Sequence, residues 1–277
     1  MKNAAIPAQL SLFACLRLAR LYARTALCAG VLLAVFGTQE AAMSADDTDI
    51  PADVIQSLDA ARAGNPLWTP KFKKLSYTIS LRNPGLGGSG KETTMVEAQP
   101  HGLLRMTRIK GSRIDQVLSF AGLFMLKMET TGSEVITTTD ADGRVLGKSN
   151  RQIEEPALVT RRVKLELPAE LKPGAVFGGG TAMVAEKPGK TDYTDRDMLP
   201  GEGMECKVKE RLDASAFFSS LTGKAVSVDC LTSAGLSDIR KREALVYIED
   251  LGLFIDLGRQ SPDGSPSAVI TDMKIER

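Results

Sequence analysis

Apolar and polar residues alternate along much of this 277-residue chain, and this alternation predicts β-strands. In LSYTISLR (75–82) every second residue from Leu75 to Leu81 is apolar, and RRVKLELP (161–168) repeats the pattern until a proline ends it. Similar segments are ECKVKERL (205–212), KAVSVDCL (224–231), EALVYIED (243–250), LGLFIDLG (251–258) and AVITDMKIER (268–277). A tight turn over Glu249–Gly252 would join two of them. Short strands separated by turns predict an antiparallel meander.

Four segments depart from this alternation. PADVIQSLDAARAGNP (51–66) has apolar residues at helical spacing and predicts a helix that its glycine and final proline end. DASAFFSSLTG (213–223) predicts a short helix lying across the sheet. VLSFAGLFMLKM (117–128) fits either two buried strands around Ala121–Gly122 or a helix. The glycine-rich segment 178–203 predicts a long mobile loop or two poor edge strands.

The beginning of the chain has the features of an export signal. Residues 1–24 contain four basic residues and no acidic residue, and the apolar run 25–37 is too short to span a membrane. We therefore expect residues 1–45 to be a signal peptide cleaved near Ala45, with the protein periplasmic or secreted. The basic region is long, so an uncleaved membrane anchor is the alternative. The expected organisation is a helix and linker over 46–70 and one β-rich domain over 71–277.

Charge and aromatic content argue against nucleic acid as a partner. Residues 1–45 hold four basic residues and one acidic residue, which leaves 31 basic and 33 acidic residues in the rest of the chain. The near-neutral net charge of this part of the chain does not favour binding to a negatively charged phosphate backbone. Aromatic residues make up 5% of the sequence, which is little for base stacking.

The cysteines agree with export. Cys206 and Cys230 are the two that lie beyond the expected signal peptide. Two cysteines without a neighbouring histidine do not make the four-ligand zinc site. In an oxidising compartment they predict a structural disulfide, and their spacing is not that of a redox-active pair.

The segment NPGLGGSGKET (83–93) partly matches a phosphate-binding loop. Gly85, Gly90 and Lys91 occupy the required positions, but Glu92 replaces the metal-binding hydroxyl residue. The residues that follow, KETTMVEAQPHG, do not predict the helix that such a loop needs. We interpret the segment as a flexible hairpin tip and expect no nucleotide.

Candidate catalytic groups are few. His101 is the single histidine, and its context, QPHGLL, is typical of a turn. No G-x-S-x-G or S-x-x-K motif accompanies it. Asp192, Asp195 and Asp197 could form a weak calcium site in the long loop, and DADG (140–143) is more simply a hairpin turn. We expect no cofactor, metal or catalytic residue, and the alternative is a periplasmic hydrolase that uses carboxylates or His101.

These patterns together predict a mainly β fold, in which a strongly curved antiparallel sheet forms a half-barrel or open barrel with one or two short covering helices. The plan is similar to the half-barrels that carry lipids or lipoproteins across the periplasm, as a likeness of architecture without a shared motif. We expect a non-enzymatic protein that binds an apolar ligand, such as a lipid, or a cell-envelope protein on the concave face. A structural envelope protein without a ligand is the other alternative. The expected ligand-binding residues are Phe120, Phe124, Met125, Met128, Phe217, Phe218 and Leu221.

Overall fold

The computed structural model describes residues 50–81, 90–140, 142, 144–234, 240–259 and 266–277, all of which lie within one compact unit. The expected signal peptide lies outside the described residues, and so do residues 83–89 of the segment NPGLGGSGKET. The described residues form one α-helix, α1 (Ala52–Arg62), and thirteen strands. The strands are β1 (Lys74–Leu81), β2 (Lys91–Ala98), β3 (Leu103–Lys110), β4 (Arg113–Phe120), β5 (Phe124–Thr139), β6 (Val145–Glu154), β7 (Leu158–Glu166), β8 (Val176–Ala185), β9 (Leu199–Asp213), β10 (Lys224–Ala234), β11 (Arg240–Ile248), β12 (Leu253–Arg259) and β13 (Ala268–Glu276).

These strands form one antiparallel sheet that is nearly closed into a barrel. The order in the sheet is β12-β11-β10-β9-β8-β7-β5-β4-β3-β2-β1-β13, and β6 pairs with β5 beside this path. The two end strands, β12 and β13, come together where Ser267 N–H donates to the Arg259 carbonyl at 2.9 Å. The curved antiparallel sheet predicted from the meander is confirmed.

Helix α1 forms where the helical spacing predicts it. Val54 and Leu58, one turn apart, are buried against the sheet. After the helix, Asn65 ties the chain to the strand layer, because its side chain accepts from Leu67 N–H at 3.1 Å and donates to the Pro168 carbonyl at 2.9 Å. The helix is therefore held both by its apolar stripe and by the segment that follows it.

Two hydrophobic clusters lie on opposite faces of β11 and β12. The cluster that includes α1, here the helix cluster, has Val54, Leu58, Trp68, Phe120, Phe124, Phe177, Tyr247 and Phe254 among its members. The other, here the barrel cluster, includes Leu75, Tyr77, Val96, Met106, Val117, Leu221, Val246, Ile255 and Ile270. Because neighbouring residues on β11 and β12 point to different clusters, each strand contains an unbroken apolar run, Ala244–Ile248 in β11 and Leu253–Ile255 in β12.

Trp68 is the centre of the helix cluster. Its ring lies 5.8 Å from the ring of Phe254, 6.0 Å from that of Phe177 and 6.3 Å from that of Phe120, measured between centroids. These are ordinary distances for stabilising aromatic pairs. The Tyr247 hydroxyl donates to the Leu67 carbonyl and so holds the chain beside the tryptophan.

The apolar run 117–128 forms two strands rather than a helix. Ala121 (φ 56) and Gly122 (φ 76) make the tight turn between β4 and β5. This turn lies against β12, where Phe254 N–H donates to the Ala121 carbonyl at 3.0 Å. Of the two alternatives that the sequence left open for this run, the two strands are the one that forms. The hairpin turn predicted at Glu249–Gly252 is confirmed.

Two sequence predictions need correction. The segment 213–223 contains a single 3₁₀ turn, Ala214–Ala216, instead of a helix, and the Asp213 side chain makes no capping hydrogen bond. The segment 178–203 provides most of β8 and the start of β9, which lie inside the sheet and not at its edge, and the long loop of the prediction is confined to residues 186–198. The predicted disulfide between Cys206 and Cys230 is confirmed, and it joins directly opposed residues of β9 and β10.

Candidate functional site

The inner face of the barrel changes from apolar to polar towards the β3–β4 turn. One row of directly opposed residues across β1 to β5 is apolar and belongs to the barrel cluster or packs against it: Leu75, Val96, Met106, Val117 and Met128. The next row on the same face, here the polar row, is Tyr77, Thr94, Arg108, Asp115 and Thr130. Glu92 lies two residues beyond Thr94 on β2 and therefore on the same face.

Hydrogen bonds join one half of the polar row. Asp115 Oδ1 accepts from Thr130 Oγ1 at 2.7 Å and from Arg113 Nε at 2.9 Å. Thr130 is only 3% exposed, so this carboxylate is held against a buried hydroxyl. The arrangement fixes the position of the Asp115 charge on the inner face.

The other half of the row places ionisable groups in a partly desolvated environment. Burial raises the pKa of the Glu92 carboxyl, and the positive charges of Arg108 and Lys110 oppose that effect. Burial also raises the pKa of the Tyr77 phenol, against the charge of Arg108 and a hydrogen bond with Thr94. Two perturbed groups that share the cation Arg108 are typical of a binding or reactive surface.

An apolar surface adjoins this row, since Ile79 on β1 is directly opposed to Glu92 on β2. It is made by the last residues of β1 with β12 and β13, here the apolar wall: Ile79, Leu81, Leu257, Ala268 and Ile270. Ile79 is opposed to Ile270, and Leu81 to Ala268, across the β1–β13 pair. The polar end of the barrel is thus amphipathic, with charges on β2 to β4 and hydrocarbon on the strands beside them.

The seven residues predicted to bind a ligand do not share one cluster. Phe120 and Phe124 are buried in the helix cluster. The other five lie in or against the barrel cluster, where Leu221 is buried and the remainder are partly buried: Met125, Met128, Phe217, Phe218 and Leu221. Met128 is the one near the polar row, since it is two residues from Thr130 on β5.

The sequence did not lead us to expect three residues of this site as ligand-binding residues: Glu92, Arg108 and Asp115. A signal was present, because Arg108 and Asp115 continue the alternation of the buried residues Met106 and Val117. A charged residue in line with core positions points inward, and strand register is what places several such residues side by side. The register between two paired strands cannot be deduced from the sequence of either strand alone.

His101 is not isolated. It lies in the 3₁₀ turn Pro100–Gly102 with φ 61, and its Nδ1 is 2.8 Å from Asp59 Oδ2 on α1. The two side chains border an open depression of about 690 Å³ that Asn65 and Thr69 also line. Partial burial acts to raise the pKa of Asp59, but the hydrogen bonds from His101 and Arg62 outweigh it, and the pKa is lowered.

Two of the three aspartates considered for calcium, Asp195 and Asp197, form ion pairs with basic residues of the protein. Asp195 accepts from Arg162 at 2.5 Å, and Asp197 accepts from Lys190 at 2.6 Å and from Thr194. Over the described ranges, no group of three or more His, Cys, Asp or Glu side chains is placed to hold a metal ion. The Arg162–Asp195 and Lys190–Asp197 ion pairs instead stabilise the connection between β8 and β9.

The described end of the segment NPGLGGSGKET (83–93) leads into a strand. Residues from Lys91 onward form β2, where a phosphate-binding loop would need a helix. No helix among the described residues is long and apolar enough to cross a membrane. Comparison with protein-family models, curated proteins and solved structures finds no match to this chain.

Proposed function

We propose that this chain is an exported, non-enzymatic binding protein for an amphiphilic small molecule. The molecule binds at the polar end of the barrel, with its polar part on the polar row and its apolar part against the apolar wall. The observation that supports this most is the polar row itself. Polar and charged side chains on an inner barrel face cost stability unless they are paired, so a row across five strands is more typical of a binding surface than of a core.

The chemistry of the two surfaces defines the class of ligand. Arg108 and Lys110 provide positive charge near Glu92, whose raised pKa makes it easier to protonate beside a bound acid. A carboxylate or phosphate headgroup matches the Arg108 guanidinium, which donates several hydrogen bonds in one plane. The apolar wall and Met128 of β5 suit a flexible hydrocarbon chain.

Export is supported by the basic and apolar start of the chain and by the Cys206–Cys230 disulfide, which is typical of oxidising compartments. A periplasmic or secreted carrier of an apolar or amphiphilic molecule meets its cargo at membrane surfaces. A cell-envelope protein as an additional partner stays a prediction.

Calorimetric titration with dodecanoic acid tests the proposal. Saturable one-to-one binding is expected, with negative heat-capacity change because hydrocarbon is buried. Arg108→Met removes the headgroup partner and should weaken binding by about tenfold or more, equivalent to loss of one charge-assisted hydrogen bond. Arg105→Met is the matched control, since Arg105 is on the same strand but points to the other face.

Mass spectrometry of the protein purified under native conditions provides an independent measurement. A co-purifying amphiphile that is lost in Arg108→Met supports the proposal. Absence of any bound molecule together with no heat of binding for dodecanoic acid would overturn it. Equal weakening by Arg105→Met would place binding elsewhere.

Hydrolysis at His101 is a second candidate function, favoured by the Asp59–His101 contact at the border of an open depression. Asp59 would hold the ring through Nδ1 and leave Nε2 to activate a water molecule. Neither serine nor cysteine is among the described residues that line this depression, so a covalent intermediate is not part of the candidate.

A short-chain p-nitrophenyl ester is the probe for this second candidate. Hydrolysis that disappears in His101→Asn and is retained in Arg108→Met would establish it. Rates in the wild type equal to those in His101→Asn would refute it, and the Asp59–His101 pair would then be a structural contact between α1 and the β2–β3 turn.

A further inference from the structure

The β5–β6 hairpin extends beyond the rest of the sheet. β5 pairs with β4 up to Gly132, and β6 pairs with no strand other than β5 among the described residues. The two-stranded extension, here the arm, comprises residues 133–153 apart from the two positions at its tip that lie outside the described residues. A two-stranded sheet alone is marginally stable in water, so an arm of this length is expected to have a partner.

Large apolar side chains are exposed on the arm. Val135 is 61% exposed, Ile136 40%, Val145 57% and Leu146 67%. They are half of the large exposed apolar residues found over the described surface, which number eight. Their concentration in one projecting hairpin is typical of an interaction surface.

The two edges of the arm differ in charge. The outer edge, on β6, carries Lys148 and Arg151, the kind of residue that protects an edge strand from pairing. The other edge, on β5, has no charged residue and no proline from Val135 to Thr138, and all four residues are β-branched. This second edge has the composition of a strand that pairs.

The direction of the backbone groups follows from Ser133. Ser133 N–H donates to the Ser112 carbonyl at 3.3 Å, and Ser112 Oγ donates to the Ser133 carbonyl, so the backbone of Ser133 faces the β4 side. Because strand geometry repeats every two residues, the N–H and C=O groups of Val135 and Thr137 face the same side. β4 has ended there, and no described strand pairs with them on that side.

We propose that this edge of β5 pairs with the same edge of a second copy of this chain. The pairing is antiparallel about a two-fold axis at Ile136, which joins the two arms into one four-stranded sheet. Val135 then exchanges two hydrogen bonds with Thr137 of the second copy, and Thr137 does the same with Val135 of that copy. Ile136 lies opposite its own symmetry mate.

Two features favour a second copy over an unrelated peptide. The register opposes Val135 with Thr137 and Ile136 with itself, so no like charges meet in the pair and β-branched side chains face one another. The four-stranded product also leaves only β6, with Lys148 and Arg151, as its outer edges. The Ser112–Ser133 contact limits the pair to the segment beyond Ser133.

Engineered cysteines test the register. At a non-hydrogen-bonded antiparallel position the two Cα atoms are about 4.5 Å apart, which is within disulfide range. Ile136→Cys should therefore give a covalent dimer on mild oxidation, seen on non-reducing gels and located by peptide mapping. Val145→Cys is the matched control: it is also exposed, but it lies on β6 opposite Thr139, three residues from the axis, so that three strand spacings and six residues of strand length put it roughly 25 Å from its mate.

Sedimentation velocity over a concentration series tests the dimer itself. The wild-type mass should rise towards twice the monomer mass, and Ile136→Lys should weaken association by about tenfold or more because two like charges meet at the axis. Val145→Lys should leave association unchanged, and circular dichroism verifies that both variants are folded. A wild type that stays monomeric at its highest soluble concentration overturns the proposal. Equal cross-linking of the two cysteine variants does so too.

Discussion

The contact between the β4–β5 turn and β12 can be tested at Gly122. This glycine has φ +76, and a Cβ atom at its position would lie 2.6 Å from the Phe254 carbonyl oxygen and 2.8 Å from Leu253 Cδ1. Gly122→Ala therefore combines a left-handed backbone penalty of about 1–2 kcal/mol with displacement of β12. That displacement breaks the hydrogen bond from Phe254 N–H to the Ala121 carbonyl, which is worth about 1 kcal/mol. We expect a loss of about 2–4 kcal/mol in the free energy of unfolding.

Gly111 offers a matched control. It has φ +61 in the β3–β4 turn, but a Cβ atom there would have no neighbour within 4 Å. Gly111→Ala should cost only about 1 kcal/mol, since the backbone penalty is partly offset by the stiffer unfolded chain. Urea denaturation of both variants measures the difference. Equal losses for Gly111→Ala and Gly122→Ala would refute the contact between the turn and β12.

Three further predictions concern stability. Because the pKa of Glu92 is raised in the fold, the folded protein holds this proton more tightly than the unfolded chain, and stability falls as pH rises through that pKa. Glu92→Gln should therefore stabilise the protein at pH 7 relative to wild type but not at pH 4, as measured by urea midpoints at both values. Replacing Cys206 and Cys230 by alanine opens a disulfide of sequence separation 24 and should cost about 3 kcal/mol, with a lowered urea midpoint. Tyr247→Phe removes the hydroxyl that donates to the Leu67 carbonyl and should cost about 1 kcal/mol, observed as a lowered melting temperature.

Local patterns were sufficient for most single elements. Period-two alternation identified β1, β7 and β9 to β13, and helical spacing with a terminating glycine identified α1. The cysteine pair was also predictable, because only two cysteines remain beyond the expected signal peptide. One local pattern gave a wrong prediction. The segment 213–223 has apolar residues at helical spacing, but it is too short to form a helix without a capping hydrogen bond.

The candidate site and the arm depended on tertiary structure. Thr94, Arg108 and Asp115 are ordinary polar residues of three separate strands, and only the register of β2, β3 and β4 sets them in one inward row. The two-sided burial of β11 likewise depends on tertiary structure, because the helix cluster covers one face of this strand and the barrel cluster covers the other.

The sequence by itself therefore determined the kind of element each segment forms, because φ/ψ preference and side-chain periodicity act over a few residues. The tertiary structure alone decided which elements lie next to each other, which charges become partly buried and which edge of β5 is left without β4. Those outcomes depend on strand register and sheet curvature, which are set by contacts between residues far apart in the chain.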